Sequence, residues 1–242
     1  DVLGRMLGNC DGRLKITPDG GLTLEIGDWA EPSVTIDDSY IVGFSEVGRG
    51  RDILTTANTI KATYTDPEQD YQTAEADPWI DAADVSERGE IAQDVSFIMT
   101  PSHAQCRRLM KLQAYRFNPE WIGSFVCNLK ALAAFGERFV RITYDTLGID
   151  EVFEVNDFRF NIGENNIIKT VTIEVQSMPQ AAYDWDEDAE EGTAPISEAT
   201  EIDTTIPVPT GFAVSLEHKT IAGIPVPYAL LSFDDPPASS LR

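Results

Sequence analysis

The stretch EVFEVNDFRFNIGENNIIKTVTIEVQSM, residues 151–178, decides the fold class of this chain. Two of its segments alternate apolar and polar residues with a period of two, which is typical of β-strands. The ENN sequence at 164–166 separates them as a turn, so we predict an antiparallel meander of two strands, 151–162 and 167–178. The alternation predicts that the first strand has one face made of Val152, Glu154, Asn156 and Phe158 and another made of Phe153, Val155 and Asp157.

Strand patterns extend through most of the remaining sequence. GRLKI and GLTLEIG flank the turn sequence TPDG and predict a hairpin of residues 12–16 and 21–27. We predict further strands at 57–65, 90–99, 124–129 and 137–144, and short helices at 2–10 and 128–135. In the strand 57–65, one face is predicted to carry Ile60, Ala62 and Tyr64. The chain is therefore predicted to be mainly β with some α, in the α+β class.

One long helix interrupts these strands, over residues 100–118. Thr100 and Pro101 form its start signal, and the pair Asn118-Pro119 ends it. Its apolar stripe consists of Cys106, Leu109, Met110, Ala114 and Phe117. Its cations are Arg107, Arg108, Lys111 and Arg116, which lie mostly off that stripe. They predict either a solvated face paired with nearby acids, such as Glu90 and Asp94, or a contact with an acidic neighbouring subunit.

The segment TYTDPEQDYQTAEADPWID, residues 63–81, is polar and acidic and contains two prolines, yet it keeps three large aromatics. We expect it to form no helix and to pair poorly as a strand. A disordered linker would not retain Tyr64, Tyr71 and Trp79, because such linkers are poor in aromatic residues. The aromatics are predicted either to pack on their own domain or to anchor in a neighbouring protein.

Composition excludes several classes of protein. The 42% apolar content is enough for a packed core, and 41 acidic against 18 basic side chains give a formal charge of −23. This charge argues against a protein that grips nucleic acid or docks on anionic lipid. The sequence has no apolar run long enough for a membrane span, and its start does not have the pattern of a signal peptide. We expect the chain to be a piece of something longer.

Residues with chemical function are sparse in this sequence. There are two histidines, no GxSxG motif and no cluster of His and Cys with metal-ligand spacing. The three cysteines are far apart and are expected to be free thiols in a reducing compartment. His103 is expected to be a half-buried helix residue and not a base. We therefore predict no enzyme, with no catalytic, cofactor-binding or metal-binding residues.

The last quarter of the sequence changes in character. Residues 183–206 are acidic and aperiodic and predict a linker. Residues 207–242 begin with a Pro-rich entry, alternate at Val214 and Leu216, and continue into a strand at 229–236. This segment resembles the first third of a fibronectin type III-like module, which implies a partial β-sandwich.

The order of motifs along residues 1–190 resembles the tail hub family of long-tailed bacteriophages. These are relatives of the tip attachment protein J that also occur in prophage and gene transfer agent tails. The family signature is an N-x-[VI]-x-x-x-Y-x-[DN]-P segment, an acidic loop, a helix with Q-[AC]-x-R-[LM] and a Y-[DE]-W-like end. The matching residues are Asn58, Ile60, Tyr64, Asp66, Pro67, Gln105, Cys106, Arg108, Leu109, Tyr183, Asp184 and Trp185. Cys106 stands where many members have a small Ala.

This resemblance implies barrel-like antiparallel hub sheets with one long helix. The implied domains are a first hub domain, incomplete at its N-terminus, at 1–99, a connecting helix at 100–118, and a second, barrel-like hub domain at 119–182. The acidic linker at 183–206 and the fibronectin-like start at 207–242 follow. Hubs of this family are trimers that close the distal tail tube, so the implied location is a virion tail or tail-like particle, assembled in the bacterial cytoplasm.

The resemblance also implies partners and contact residues. The partners are two further copies of the chain, the distal tail ring protein, the tape-measure end, a tip fibre, and DNA that passes without specific binding. Acidic side chains facing a channel would repel DNA phosphates, whereas a basic lumen would bind them. Subunit contacts are predicted at Tyr71, Trp79, Arg107, Arg108 and Lys111. The alternative function is a carbohydrate-active enzyme or a carbohydrate-binding β-module.

Overall fold

A computed structural model describes residues 2–17, 19–50, 56–163, 166–195 and 210–234. The chain divides into two compact units, Asp1–Ser197 and Glu198–Arg242. Its fold is mainly β with α, as the sequence predicts. In the described residues, the first unit contains three β-sheets and the long helix, and the second unit contains one hairpin.

The largest sheet has six strands in the order β3-β10-β11-β12-β9-β4 and curls into a half-barrel. Its strands are β3 (Thr35–Ile36), β4 (Ile41–Arg49), β9 (Trp121–Cys127), β10 (Phe139–Tyr144), β11 (Ile149–Ile162) and β12 (Ile168–Ser177). All neighbours are antiparallel except β3 and β10, which are parallel. Buried side chains such as Phe125, Phe153 and Ile173 fill the core of this sheet.

The predicted meander is present as β11 and β12, but the predicted faces are wrong beyond Val155. The register between the two strands shifts between Val155 and Asp157, so Asn156 is an extra residue in a β-bulge. The bulge moves Phe158 to the same side as Phe153, where it packs against the sheet core. Glu154 and Phe153 are both fully buried because both faces of the strand are covered at this point.

A second sheet contains β5 (Thr59–Asp66), β6 (Gln72–Glu75), β7 (Trp79–Ile80) and β8 (Ala92–Phe97). β6 and β7 pair antiparallel with successive parts of β5, and β8 pairs parallel to it. The parallel pairing is possible because the long connection from β5 to β8, which includes α2 (Ala82–Arg88), carries the chain back to the start of β5. The expectation that 63–81 pairs poorly as a strand is therefore wrong, since most of this segment lies in three strands.

The long helix α3 runs over His103–Phe117. It starts two residues later than the predicted Thr100-Pro101 signal, because Ser102 is the N-cap and its side chain accepts a hydrogen bond from the Gln105 amide. One side packs Cys106, Met110 and Ala114 against the second sheet. Another side packs Leu109 and Leu112 against Phe139, Met178 and Ala182. The helix thus connects the two large sheets through two hydrophobic clusters.

The N-terminal segment forms the predicted helix and hairpin: α1 (Val2–Asn9), β1 (Arg13–Ile16) and β2 (Leu22–Glu25). Residues 10–12 connect α1 to β1. The predicted helical turn at 128–135 is a 3₁₀ helix over Leu129–Ala134. None of the eight residues of α1 is buried.

The first part of the predicted linker packs onto the first unit. Residues 183–195 include the short helix α4 (Glu187–Glu190), and Tyr183 lies in the cluster around Leu109. Residues 196–209 lie outside the described residues. In the second unit, β13 (Ala213–Ile221) and β14 (Ile224–Ser232) pair antiparallel around a turn at Ala222 and Gly223. The fibronectin-like module stays a prediction, and residues 235–242 lie outside the described residues.

Candidate functional site

Tyr71, the first predicted contact residue, is presented at the tip of the β5–β6 hairpin. Pro67–Gln69 form a 3₁₀ turn whose start is capped by Asp66, and Asp66 Oδ1 accepts a hydrogen bond from the Glu68 amide at 2.9 Å. Asp70 and Tyr71 follow with φ of 52° and 59°, the left-handed region that non-glycine residues rarely adopt. The Tyr71 side chain is 72% exposed. A strained backbone thus holds a large aromatic in solvent, an arrangement that occurs where proteins bind partners.

Trp79 and Tyr64 instead belong to the protein's own core. Tyr64 is buried, and Trp79 is half-buried against the cluster that includes Cys106 and Met110. Burial raises the pKa of the Tyr64 hydroxyl to about 12, with a further contribution from the charge of Asp66. The aromatics of the segment therefore divide into two that stabilise the first unit and one, Tyr71, that faces outward.

Arg107 and Lys111 on α3 do not form a solvated face. Both are buried, and both bond to residues of the same chain. Arg107 donates to the carbonyl of Asp77 at 2.9 Å and to the carbonyl of Glu190 at 3.0 Å. Lys111 Nζ donates to the carbonyl of Asp184 and to Oε1 of Glu190, each at 2.6 Å. These two cations hold residues 184–190 against the helix.

Arg108 is exposed and lies over the ring of Trp185, with its guanidinium carbon 5.1 Å from the ring centroid. This is the geometry of a cation–π contact. Trp185 Nε1 is buried and has no hydrogen-bond partner among the described residues. Of the three helix cations that the sequence predicts as contacts, Arg108 is the one with a solvent-exposed side chain.

His103 also makes its contacts within the chain. It is buried, its Nε2 accepts a hydrogen bond from the Asp77 amide at 3.3 Å, and its ring meets Tyr64 edge-on at 5.9 Å. Burial and the neighbouring charge of Arg107 lower its pKa. A neutral imidazole that accepts from a backbone amide orients the loop before β7.

The most unusual site is a buried ion cluster that the sequence analysis does not identify. The cluster consists of three arginines, Asp11 and Glu154, and the side chain of Glu154 is fully buried at its centre. Arg13 lies 2.7 Å, Arg116 2.9 Å and Arg138 3.2 Å from Glu154 Oε1. Asp11 pairs with Arg116 at 2.8 Å and also contacts Arg138. The cluster joins the segment before β1, β1 itself, α3 and the six-stranded sheet.

Neighbouring groups add further hydrogen bonds to this cluster. Arg138 donates to the Tyr183 hydroxyl at 3.0 Å, and that hydroxyl donates to Asp11 Oδ2 at 3.3 Å. Burial alone would raise the pKa of Glu154, but the hydrogen bond and charge of Arg116, with the charges of Arg13 and Arg138, outweigh it and lower the pKa. Glu154 therefore stays ionised. Within the described residues, Arg138 Nε is buried without a hydrogen-bond partner.

Chemical groups for catalysis or metal binding do not converge in the described ranges. No group of three or more His, Cys, Asp or Glu residues in that part of the chain could hold a metal ion. Burial raises the pKa values of the Cys106 and Cys127 thiols to about 12, which makes them unreactive. Among the helices of the described residues, none is both long and apolar enough to cross a membrane. The described residues provide exposed contact surface and internal ion pairs.

Comparison with known proteins relates the fold to virion and tail proteins. A chain of the virion of a native gene transfer agent particle matches 75% of this chain at 10% identity and a TM-score of 0.52. A tail protein from Neisseria meningitidis MC58 matches 73% at 14% identity and a TM-score of 0.47. The 43 kDa tail protein of prophage MuSo2 from Shewanella oneidensis matches 76% at 12% identity and a TM-score of 0.45.

These matches cover 39% of the gene transfer agent chain, 53% of the Neisseria protein and 55% of the Shewanella protein. This chain thus spans about half or less of the length of each of these neighbours. No family model matches the sequence, and no curated protein does. Over 75% of its length, the chain shares its fold with part of a chain from the gene transfer agent virion.

Proposed function

We propose that this chain is a structural hub of a phage-type tail tip. In this role three copies form a ring that closes the distal tail tube, connects it to the tip fibre and lets DNA pass. The observation that carries the proposal is the shared fold with a gene transfer agent virion protein over 75% of the chain. The order of sequence motifs, which resembles the hub family, supports the same role independently.

The charge of the chain suits a conduit for DNA. A formal charge of −23 makes the chain as a whole repel DNA phosphates. Repulsion acts over about 8 Å at physiological salt, so it reaches across much of a narrow channel. DNA therefore passes a ring of such chains without the counterion release that would make it bind.

Within this proposal, residues 1–99 and 119–182 are two hub domains joined by the helix at 100–118. The contacts with neighbouring subunits or the distal tail ring protein are made by exposed residues, first of all Tyr71 and Arg108. Arg107, Lys111 and Trp79 act indirectly, because their contacts hold the chain's own segments in place. The protein assembles as part of a tail or tail-like particle and has no enzymatic activity.

Location in a particle tests this proposal. Tailed particles from cells carrying an epitope-tagged copy of the gene are purified and labelled with gold-conjugated antibody. We expect the label at the distal end of the tail. Purified particles that contain no tagged chain, or that carry it on the capsid, would contradict a tail-tip role. A glycan array with the purified chain tests the carbohydrate-binding alternative in parallel.

A further inference from the structure

A cleft of about 510 Å³ lies in the first unit between α3, the start of α2 and the segment that contains α4. Its volume is within the range of about 300–1,000 Å³ that small-molecule sites have. The lining residues that carry aromatic rings or polar groups are Trp79, Asp81, Arg107, Tyr115, Asn118 and Glu190. We call the space between these six residues the α3 cleft.

Arg107 presents a free donor to the α3 cleft although its side chain is buried. The residue is 8% exposed, and its Nε and Nη1 donate to the carbonyls of Glu190 and Asp77. Nη2 makes no hydrogen bond within the described residues. It is also not enclosed, because the enclosed side-chain atoms that lack a partner in those residues are Arg138 Nε and Trp185 Nε1. Two hydrogen bonds thus fix a guanidinium whose remaining nitrogen is open to the cleft.

Three further polar groups around the cleft are unused in the described part of the chain. Asp81 caps α2 through Oδ1, which accepts a hydrogen bond from the Asp84 amide at 3.1 Å, and its Oδ2 accepts none there. The Tyr115 hydroxyl and the Trp79 indole N–H have no partner in those ranges either, while both rings pack partly on the core. The cleft therefore combines fixed aromatic rings with hydrogen-bonding groups that are available to a ligand.

The charges around the cleft favour an uncharged ligand. Arg107 opposes a cation, and Asp81 and Glu190, together with the formal charge of −23, oppose an anion. The free groups are donors on Arg107 and Trp79, an acceptor on Asp81 and a hydroxyl on Tyr115 that can do both. A saccharide matches this set, because its hydroxyls donate and accept hydrogen bonds and its C–H faces pack on aromatic rings.

We infer that the α3 cleft binds a neutral saccharide. The carboxylates of the cleft indicate binding and not hydrolysis, since glycoside hydrolysis generally uses two carboxyl groups that both act on the substrate. Glu190 has both oxygens engaged, Oε1 by Lys111 at 2.6 Å and Oε2 by the Asp186 amide at 3.0 Å. Of the two carboxylates in the described lining, Asp81 is thus the one with a free oxygen.

The variant Asp81→Asn with Tyr115→Phe removes contacts to the ligand and preserves the fold. Asn caps a helix as well as Asp does, but its amide puts a donor where Asp81 has its free acceptor. Phe keeps the ring of Tyr115 and loses a hydroxyl that has no partner in the described residues. The matched control, Asp37→Asn with Tyr144→Phe, makes the same two changes outside the cleft, at a turn where Asp37 accepts from the Ser39 amide at 2.8 Å.

Binding is measured on an array of neutral glycans that also carries sialylated and phosphorylated glycans, and any retained glycan is then titrated by calorimetry. We expect the unmodified chain and the control to bind a neutral glycan equally, and the cleft variant to bind it about tenfold more weakly or worse. Nuclear magnetic resonance provides a second readout. The indole N–H resonance of Trp79 should shift when the glycan binds, and those of Trp29 and Trp121 should not.

An array that retains no neutral glycan, or that retains charged glycans alone, would overturn the inference. So would a cleft variant that binds as well as the unmodified chain, a control that loses binding equally, or a Trp79 resonance that does not move. The inference goes beyond the proposed function and fails separately from it. A chain located at the tail tip that binds no glycan refutes the cleft alone, whereas a chain that binds through the cleft and is absent from tails refutes the hub alone.

Discussion

The carboxylate of Glu154 on β11 lies 2.7 Å from the guanidinium of Arg13 on β1, although 141 residues separate them in the sequence. Glu154 is fully buried, and the same Oε1 atom also contacts Arg116 and Arg138. One acid thereby links the N-terminal hairpin, the long helix and the six-stranded sheet. This linkage fixes the β1–β2 hairpin to the rest of the first unit.

Glu154→Gln is expected to be strongly destabilising. The change leaves the buried Arg138 and the partly buried Arg13 and Arg116 with one carboxylate, that of Asp11, and unpaired buried charge is costly. Removing one partner of a buried ion pair typically costs about 3–5 kcal/mol. Urea denaturation of the two proteins measures the difference in the free energy of unfolding.

Glu174→Gln serves as the matched control on the neighbouring strand. Glu174 pairs with Arg159 on the surface at 2.8 Å. Exposed pairs contribute little to stability, so this variant should unfold close to the unmodified protein. Equal stability of the two variants would show that the buried cluster has no special structural role.

The contribution of Glu154 to stability should disappear in acid. Its pKa in the folded protein is lowered from the ordinary value of 4.5, so the unfolded state binds this proton more readily than the folded state. The contribution is then fully present above pH 4.5 and is lost as the pH falls through the folded pKa. The difference in unfolding free energy between the unmodified protein and Glu154→Gln should therefore narrow below pH 4.5. A difference that stays constant down to pH 3, well below that value, would contradict the lowered pKa.

Lys111→Met should release residues 183–195 from the long helix. The change removes the hydrogen bonds from Nζ to the Asp184 carbonyl and to Glu190. Amide exchange in 183–195 should accelerate about tenfold, since local opening becomes easier. The control is Lys61→Met, whose partner Glu90 is on the surface, with the side chains 53% and 54% exposed. Unchanged exchange in 183–195 would mean that other contacts hold this segment.

Tyr71→Gly separates assembly from folding. Glycine adopts a φ of 59° without strain but makes the unfolded chain more flexible, so stability should stay within about 1 kcal/mol of the unmodified protein. Incorporation of the chain into tail particles should fall if Tyr71 contacts a neighbour. Particles that incorporate the variant normally would exclude this contact.

Trp79→Ala is the contrasting change. Trp79 packs against the cluster around Met110, so truncation should cost about 2–4 kcal/mol of folding stability in the purified chain. Loss of assembly in this variant would follow from loss of fold. A Trp79→Ala protein as stable as the unmodified chain would show that the side chain is free to anchor elsewhere.

The regular strands could be predicted from the sequence, and their local irregularities could not. The alternation over 151–178 predicts β11 and β12 because one face of each is buried. The bulge at Asn156 has no glycine to mark it, so Phe158 is assigned to the wrong face. The sequence predicts no strand at β4, because two glycines and a serine interrupt its alternation.

Assignments that depend on distant contacts failed for a physical reason. Glu154 is one of 41 acids, and its arginine partners lie in three separate segments, so spacing gives no sign of the cluster. The one local sign is a charged residue between Phe153 and Val155 in a strand that is otherwise apolar at this point. The sequence predicts the helix cations on a surface. Arg107 and Lys111 instead donate hydrogen bonds within the chain, to Asp77, which lies 30 positions before Arg107, and to Asp184 and Glu190, which lie 73 to 83 positions after them.

A reconstruction of the tail tip by cryo-electron microscopy tests the central claim most directly. Particles that carry the unmodified chain are imaged, and this fold is located in the density. We predict three copies in a closed ring at the distal end of the tail tube. A tail tip that contains no density for this fold, or that carries it outside a ring around the tube axis, would contradict the account.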